Sequence, residues 1–390
     1  MSNNYAMLRN LRKPDERARC AQRLLKMRES LQEVRQRKRD GALLLATWNI
    51  RDFGAAKFGN GPRLNETLYY IAEIISCFDL VAIQEVNRNL ADFEKVMDIL
   101  GRDWDYIATD ATEGVGGNGE RMAFVFDRDK VWFRKIAGEV VLPNGMLIVS
   151  QEKSATKPGE AETSDSENDD ATETAIDAGL EEVKNQFART PFVVALQSGW
   201  FKFNLCTVHI YYGEDEGPKL KRRIDEIKAL VKFFADRQDK ENKGSSGVPT
   251  KIENYILLGD FNVVSPDHET MKALTSRGFV VPDEIDGDKV RTDEEHFYDQ
   301  IAVRVPDPRF KTTTGGIVDI YKDVFRDTDE DAALYAPLMP KFDPDASASK
   351  TRAAYLEWRT WQMSDHNPLW VEIQTDYADQ YLSEFAGDED

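Results

Sequence analysis

The 390-residue chain is short of cysteine, of long apolar runs and of net positive charge, and each shortage excludes something. Its three cysteines, Cys20, Cys77 and Cys206, lie far apart with no CxxC pair. Neither a disulfide framework nor a cysteine-built zinc site is expected. No apolar stretch approaches the ~20 residues of a membrane-spanning helix, and the N-terminus lacks an apolar signal core. A cytoplasmic protein without stable membrane insertion is expected. Against 51 Lys/Arg stand 70 Asp/Glu, a net charge of −19, so no overall basic field advertises nucleic-acid binding. The cleft matters more than the sum, however, and the charge is uneven: residues 1–40 carry 12 Lys/Arg against 5 Asp/Glu.

What is present divides into a helical start, a long mixed region and an acidic end. Residues 14–38 read as one helix closed by Gly41, with Leu24, Met27, Leu31 and Val34 at three- and four-residue spacing. The favoured reading is a helix docked by that stripe; the alternative is a basic arm touching phosphates. From residue 41 to 376, strand runs alternate with amphipathic segments, of which Leu64–Phe78, Asn89–Leu100 and Leu220–Gln238 read as helices. Arg121–Phe126, Val131–Phe133, Pro191–Leu196 and Lys202–His209 follow one another with little helix between, which predicts antiparallel neighbours. Two sheets packed face to face with helices outside are expected. Residues 151–182 hold 11 Asp/Glu and almost no large apolar side chain, and read as a disordered acidic insertion. Lying just before Arg189, it is expected to screen or cover a phosphate-binding cleft. Residues 240–251 read as a polar loop and 377–390 as an acidic tail.

The informative feature is a series of polar residues placed where buried-strand patterns end. Asn49 closes ALLLATWN, Glu85 closes FDLVAIQE and His209 closes FKFNLCTVH. Asp260 and Asn262 close NYILLGDFN, while Asp365 and His366 precede NPLWVEI. Oxygen donors and imidazoles at five such exits predict convergence at one sheet edge, as a divalent-metal site for phosphate chemistry requires. The oxygen-rich set of Asn49, Glu85, Asp260 and Asn262 suits Mg²⁺, with Mn²⁺ or Ca²⁺ possible, rather than zinc. Any one of these residues alone reads as structural; GDFN by itself is an ordinary strand-to-turn sequence.

Together the segments resemble the endonuclease/exonuclease/phosphatase superfamily, closest to deoxyribonuclease I-like nucleases. The matching stretches are TWNIRDFG, LVAIQEVN, GERMAFVF, FARTPFVV, CTVH, LLGDFN, FYDQIAV and MSDHNP, in the family's order from about Leu43 to Ile373. The resemblance implies an α+β, four-layer α/β/β/α sandwich of two mostly antiparallel sheets with outer helices. It implies Glu85, Asn49, Asp365 and Asp260 around a metal, and Asp260 with Asn262 at the scissile phosphate. It also implies His209 and His366 as the proton-transferring pair, partnered by Glu120 and Asp299 respectively. Arg51 and Arg189 match arginines that contact DNA, and Arg121 is a third phosphate-binding candidate. His268 and His296 fall outside the motifs and read as solvent-exposed loop residues.

The expected activity is metal-dependent phosphodiester hydrolysis of DNA by in-line attack of water. The alternative is the same centre acting on inositol phosphates, sphingomyelin or another small phosphoester. A non-catalytic scaffold is disfavoured because both histidines and the GDFN carboxylate are retained. The periphery departs from the nuclease pattern. Asn87 stands where an arginine is expected, the loop 116–119 offers no aromatic, and the acidic insertion replaces a disulfide-bearing loop. Weak grip on duplex DNA is the consequence expected.

Overall fold

The apolar runs assemble into two sheets and a small hairpin, followed here in a computed structural model. It describes residues 3–112, 119–153, 180–243, 253–287, 290–292 and 296–386. The first half contains α1 (Pro14–Ser30), α2 (Gln32–Arg35), β1 (Ala42–Phe53), α3 (Asn65–Ile75), β2 (Leu80–Val86), α4 (Ala91–Leu100), β3 (Trp104–Ala108), β4 (Arg121–Asp127), β5 (Trp132–Glu139), β6 (Ile148–Lys153) and β7 (Leu180–Asn185). The second half contains β8 (Phe192–Ser198), β9 (Phe201–His209), α5 (Gly217–Lys243), β10 (Tyr255–Asp260), α6 (Glu269–Leu274), β11 (Asp299–Arg304), β12 (Thr312–Ile317), α7 (Asp329–Tyr335), α8 (Ala348–Gln362), β13 (Leu369–Gln374) and α9 (Ala378–Ala386).

The first sheet has strand order β12-β13-β1-β2-β4-β3 and the second β11-β10-β9-β8-β5. Each contains a single parallel pair, β1 with β2 and β9 with β10, and is otherwise antiparallel. Strand β1 shows why its run is apolar throughout. Leu43 and Leu45 pack toward the second sheet, whereas Leu44, Ala46 and Trp48 pack toward the helices. Both faces are buried, at ~1.5–3 kcal/mol for each large side chain. One outer layer is built on α1, α3, α4, α7 and α8, and the other on α5 and α6. The molecule is thus an α+β sandwich of four layers, α/β/β/α.

A buried polar bridge crosses from sheet to sheet near the site. The Gln84 amide donates to Thr47 Oγ1 at 3.1 Å within the first sheet and to Thr207 Oγ1 at 2.8 Å in the second. Buried amides are tolerated when bonded, and this one ties β2 to β9 one residue before Glu85 and two before His209.

The basic N-terminal segment is consumed by the protein's own carboxylates. Arg19 bonds Glu66, Arg23 bonds Asp331, Arg28 and Arg35 bond Glu73, and Lys38 lies 3.3 Å from Asp79. All four carboxylates are fully buried. Arg37 and Arg39 reach Glu372. With Cys20, Leu24, Met27 and Leu31 in the core beside α3, the segment is a docked helix and not a free phosphate-binding arm.

Several local expectations are corrected. The helix predicted over 14–38 breaks at Leu31, whose backbone leaves helical geometry, and the last turn ends at Arg35. Strand β1 does not stop at Asn49 but continues to Phe53, its register with β2 shifting between the two. The segments read as neighbouring strands at 121–126 and 131–133 lie in different sheets, because the chain crosses from one layer to the other between them. The ends of the acidic insertion, 151–153 and 180–182, pair as strands β6 and β7. Residues 154–179, its bulk, lie outside the described residues. Helix α5 extends to Lys243, so only 244–251 of the predicted polar loop remain, and these lie outside the described residues. Residues 378–386 of the predicted tail form helix α9. Cys20, Cys77 and Cys206 are buried and free. No helix among the described residues is long and apolar enough to cross a membrane.

Candidate active site

Topology alone brings the strand-end residues together. Asn49, Glu85, His209 and Asp260 lie toward the carboxyl ends of β1, β2, β9 and β10. Glu120, Arg189, Asp299 and His366 lie at or just before the starts of β4, β8, β11 and β13, each antiparallel to one of those strands. Both sets therefore fall on one edge. There they line a cavity of about 570 Å³ bounded by Asn49, Arg51, Asp52, Lys57, Phe58, Glu85, Glu120, Arg189, His209, Tyr212, Asp260, Asn262, Tyr298, Asp365 and His366.

Each histidine is oriented from behind by a buried carboxylate. His209 Nδ1 lies 3.0 Å from Glu120 Oε2, and the same oxygen accepts Arg189 Nε at 2.9 Å. The other ring nitrogen, Nε2, lies 3.6 Å from Asp260 Oδ2 and 3.9 Å from Glu85 Oε1. His366 Nδ1 lies 2.6 Å from Asp299 Oδ2. Its backbone is anchored too: its N–H donates to Ser364 Oγ at 3.0 Å, and its carbonyl accepts Trp48 Nε1 at 2.9 Å. Burial and Arg189 lower the His209 pKa, but Glu120 and Asp260 outweigh them and hold it above the ordinary imidazole value. Burial also opposes the charge on His366, yet Asp299, Asp260 and Asp365 raise its pKa well above ordinary. Asp260 moves the other way. Its burial is overcome by the two imidazoles, the Asn49 amide and the Asn262 N–H, which keep it below the usual carboxylate range. Burial raises Asp299 despite His366.

Between the histidines sits a cluster of oxygens. Asn49 Nδ2 donates to Glu85 Oε1 and to Asp260 Oδ2, both at 3.0 Å. Glu85 Oε2 accepts the backbone N–H of Asp52 at 2.8 Å. Asp260 Oδ1 accepts the Asn262 N–H at 3.0 Å, and the Asn262 amide donates to Ile210 O at 2.7 Å. Glu85 and Asn262 hold left-handed backbone, φ 61° and 52°. For a glutamate this conformation carries a cost, of the kind found where a site over-determines its geometry. Buried Arg63 braces the neighbouring loop by donating to the carbonyls of Arg51, Asp52 and Gln362.

A divalent cation fits these donors on two grounds. Asn49 Oδ1 is buried without a proton donor, a group that costs ~1–3 kcal/mol unless something satisfies it. Each fixed cation lining the cavity already contacts a carboxylate, Arg51 with Asp365, Lys57 with Asp52 and Arg189 with Glu120, which leaves Glu85 and Asp260 side by side with no Lys or Arg of the cavity paired to them. No three Asp, Glu, His or Cys side chains among the described residues form a preformed metal cluster. The fit is to an open site of one or two carboxylates with an amide, of the kind Mg²⁺ completes with water and phosphate oxygens.

The cationic candidates divide. Arg189 faces the cavity from its bond to Glu120, and Arg51 lines it while held 3.3 Å from Asp365, bonded to Thr360 Oγ1 and stacked 3.9 Å over Trp361. Arg121 is not brought to the cavity: its guanidinium turns back to Thr109 O and Asp110. Strand alternation accounts for this, since Arg121 begins β4 and Glu120, one residue earlier, takes the opposite side. Nor is His296 a bare loop residue. Its ring stacks at 4.6 Å on Tyr298, itself 5.7 Å from His366. His268 caps α6 by accepting the Thr270 N–H. Asp52, Lys57, Phe58, Tyr212 and Tyr298 line the cavity without having been singled out from the sequence. Asp52 and Tyr298 sit inside the motifs NIRDFG and FYDQ and were findable there, whereas nothing local marks Phe58.

Fold and site define a class: a four-layer sandwich carrying two carboxylate-backed histidines at the exit edge of its paired sheets. No family profile and no curated protein matches the chain. Solved structures with a similar chain path include an endonuclease/exonuclease/phosphatase family protein from Bacteroides thetaiotaomicron. It is 18% identical, with TM-score 0.47, over 85% of this chain and 94% of that one. The human Nocturnin catalytic domain with bound sulfate is 12% identical, TM-score 0.49, over 86% and 95%. D. rerio TDP2 complexed with a single-strand DNA product is 12% identical, TM-score 0.47, over 86% and 99%.

Proposed function

We propose that the protein is a divalent-metal-dependent phosphodiesterase of the endonuclease/exonuclease/phosphatase kind, acting on nucleic acid as a deoxyribonuclease I-like endonuclease. One observation carries the reading. Two buried imidazoles, each tied through Nδ1 to a buried carboxylate, line one cavity around Asp260, Asn49 and Glu85. With Nδ1 engaged, Nε2 of each ring is the atom left to exchange a proton with a substrate. One histidine takes or orients the proton of the attacking water, and the other gives a proton to the leaving O3′ oxygen. Asp299 and Glu120 favour the imidazolium when it forms, as the raised histidine pKa values reflect. Asp260, held ionised, serves as an acceptor beside His209. Arg189 and Arg51 are the side chains available to the phosphate oxygens. Mg²⁺ would be held by Glu85 and Asn49, with Asp260 and Asp365 at its margin, and would supply neutralisation of phosphate charge.

The test is nicking of supercoiled plasmid by the purified chain with Mg²⁺, against EDTA, against His209→Ala, and beside a panel of small phosphomonoesters. Nicking that EDTA abolishes and His209→Ala lowers by ~10²–10⁴-fold is expected. Intact plasmid beside released phosphate would replace the nuclease reading with that of a phosphatase. Inertness toward plasmid, single-stranded oligonucleotide and small phosphoesters alike would sink the hydrolase reading.

A further inference from the structure

Phe58 plays no part in the proton or phosphate chemistry, yet it lines the same cavity with 74% of its surface exposed. Its backbone is left-handed at φ 55°, a conformation disfavoured for a bulky residue. The loop is built to hold it so. Lys341 Nζ donates to Phe58 O at 2.6 Å, and the Asn60 N–H donates to Lys57 O at 3.1 Å. Gly59 and Gly61, both at φ 74°, make the turn; a Cβ on Gly61 would lie 2.7 Å from the Pro340 ring. The Phe58 ring leans on Trp361 with centroids 5.4 Å apart, and Trp361 carries the Arg51 guanidinium on its face. A second aromatic group lines the cavity: Tyr212, 43% exposed, meets Tyr298 edge-on at 5.9 Å, and His296 stacks behind.

We propose that Phe58 is a stacking platform for an unpaired base beside the scissile phosphate, so that the preferred substrate is single-stranded nucleic acid. The proposal rests on the phosphodiesterase reading above. An apolar ring held in water by a constrained loop gains burial when an aromatic face covers it, and a base locked in a duplex cannot offer that face. The charge balance points the same way. Affinity for long duplex comes mainly from neutralising phosphates with Lys and Arg. Here the chain carries net −19, and Arg51, Lys57 and Arg189 each contact a carboxylate of the protein. Stacking requires no such cations.

The experiment measures Mg²⁺-dependent cleavage by the full chain of a short single strand, of the same backbone with its bases removed, and of the matching duplex. Wild type, Phe58→Ala and Phe58→Trp are compared, with thermal unfolding as the check on folding. Phe58→Ala is expected to raise KM for the base-bearing strand by about 5- to 150-fold, the equivalent of ~1–3 kcal/mol per stacked base, with kcat little changed. It should leave the base-free strand unaffected, and Phe58→Trp should keep the wild-type KM. Equal losses on both strands, no loss on either, or a wild-type preference for duplex overturns the proposal while leaving the phosphodiesterase reading intact. If wild type leaves every oligonucleotide whole but releases phosphate from small esters, that reading falls and the proposal with it.

Discussion

Replacing Glu120 with glutamine keeps the shape of the side chain and removes its charge. In the wild type, one Glu120 oxygen accepts from both His209 Nδ1 and Arg189 Nε, at 3.0 and 2.9 Å. Burial and Arg189 press the His209 pKa down, and Glu120 with Asp260 more than reverses them. With the Glu120 charge gone, both lowering influences remain and a principal raising influence is lost, so the His209 pKa must fall. A hydrogen bond to a charged group is worth ~1.5–3 kcal/mol, and its loss from an imidazolium formed in the transition state lowers kcat roughly 10- to 150-fold. The sign of the pH effect does not depend on which proton His209 handles. As a base it is lost when pH falls through its pKa, and the acidic limb moves to lower pH in the variant. As an acid it is lost when pH rises through its pKa, and the alkaline limb moves to lower pH instead. The assay is kcat and kcat/KM for a nucleic-acid substrate across pH in both proteins. A fall in kcat of less than threefold, or a limb that stays put or moves to higher pH, would refute the orienting role of Glu120.

Three further outcomes test the scaffold. Asp331→Ala leaves Arg23 buried without its carboxylate and removes a partner of Arg326, so unfolding free energy by denaturant should drop by about 3–5 kcal/mol; a loss under 1 kcal/mol, roughly the worth of a surface pair, contradicts the burial argument. Burial would raise the Asp331 pKa, but Arg326 and Arg23 depress it below the ordinary value. Its contribution is therefore complete above the unfolded carboxylate pKa and is lost as pH falls through the depressed one, so the gap between wild type and variant should narrow in acid. Truncation of residues 1–39 strips Glu66, Glu73 and Asp79 of their cations and should yield insoluble chain or a clearly lower Tm; an unchanged Tm would make the segment an appendage. Gly259→Ala should abolish soluble expression, because φ is 131° and the new Cβ would sit 2.2 Å from Val208 O; wild-type solubility and Tm would show that the two parallel strands can part.

Apolar patterning in the sequence marks the strands that carry the site and, β1 excepted, where they end. Apolar runs closed by Glu85, His209 and Asp260 report burial and exit directly, because a strand buried on both faces carries few polar groups before it leaves the core, and those it does carry, such as Gln84 and Thr207, bond one another. Motif likeness then supplied Glu120 and Asp299 as candidate partners for the histidines, residues that no local pattern marks. Tertiary structure decided whatever depends on partners distant in sequence. A docked N-terminal helix was legible from its apolar stripe, but the partners of its cations, the buried Glu66, Glu73 and Asp79, are set by tertiary packing. Arg121 matched a useful pattern but turned away to Asp110, and strands that follow closely in sequence entered different sheets. In sequence Phe58 is one apolar residue between Lys57 and Gly59; only the fold of its loop against Lys341, Pro340 and Trp361 holds its ring beside the sheet edge where the cavity lies. Local sequence encodes periodicity and exits, whereas the side a residue faces and the charge it meets are set by contacts across hundreds of residues.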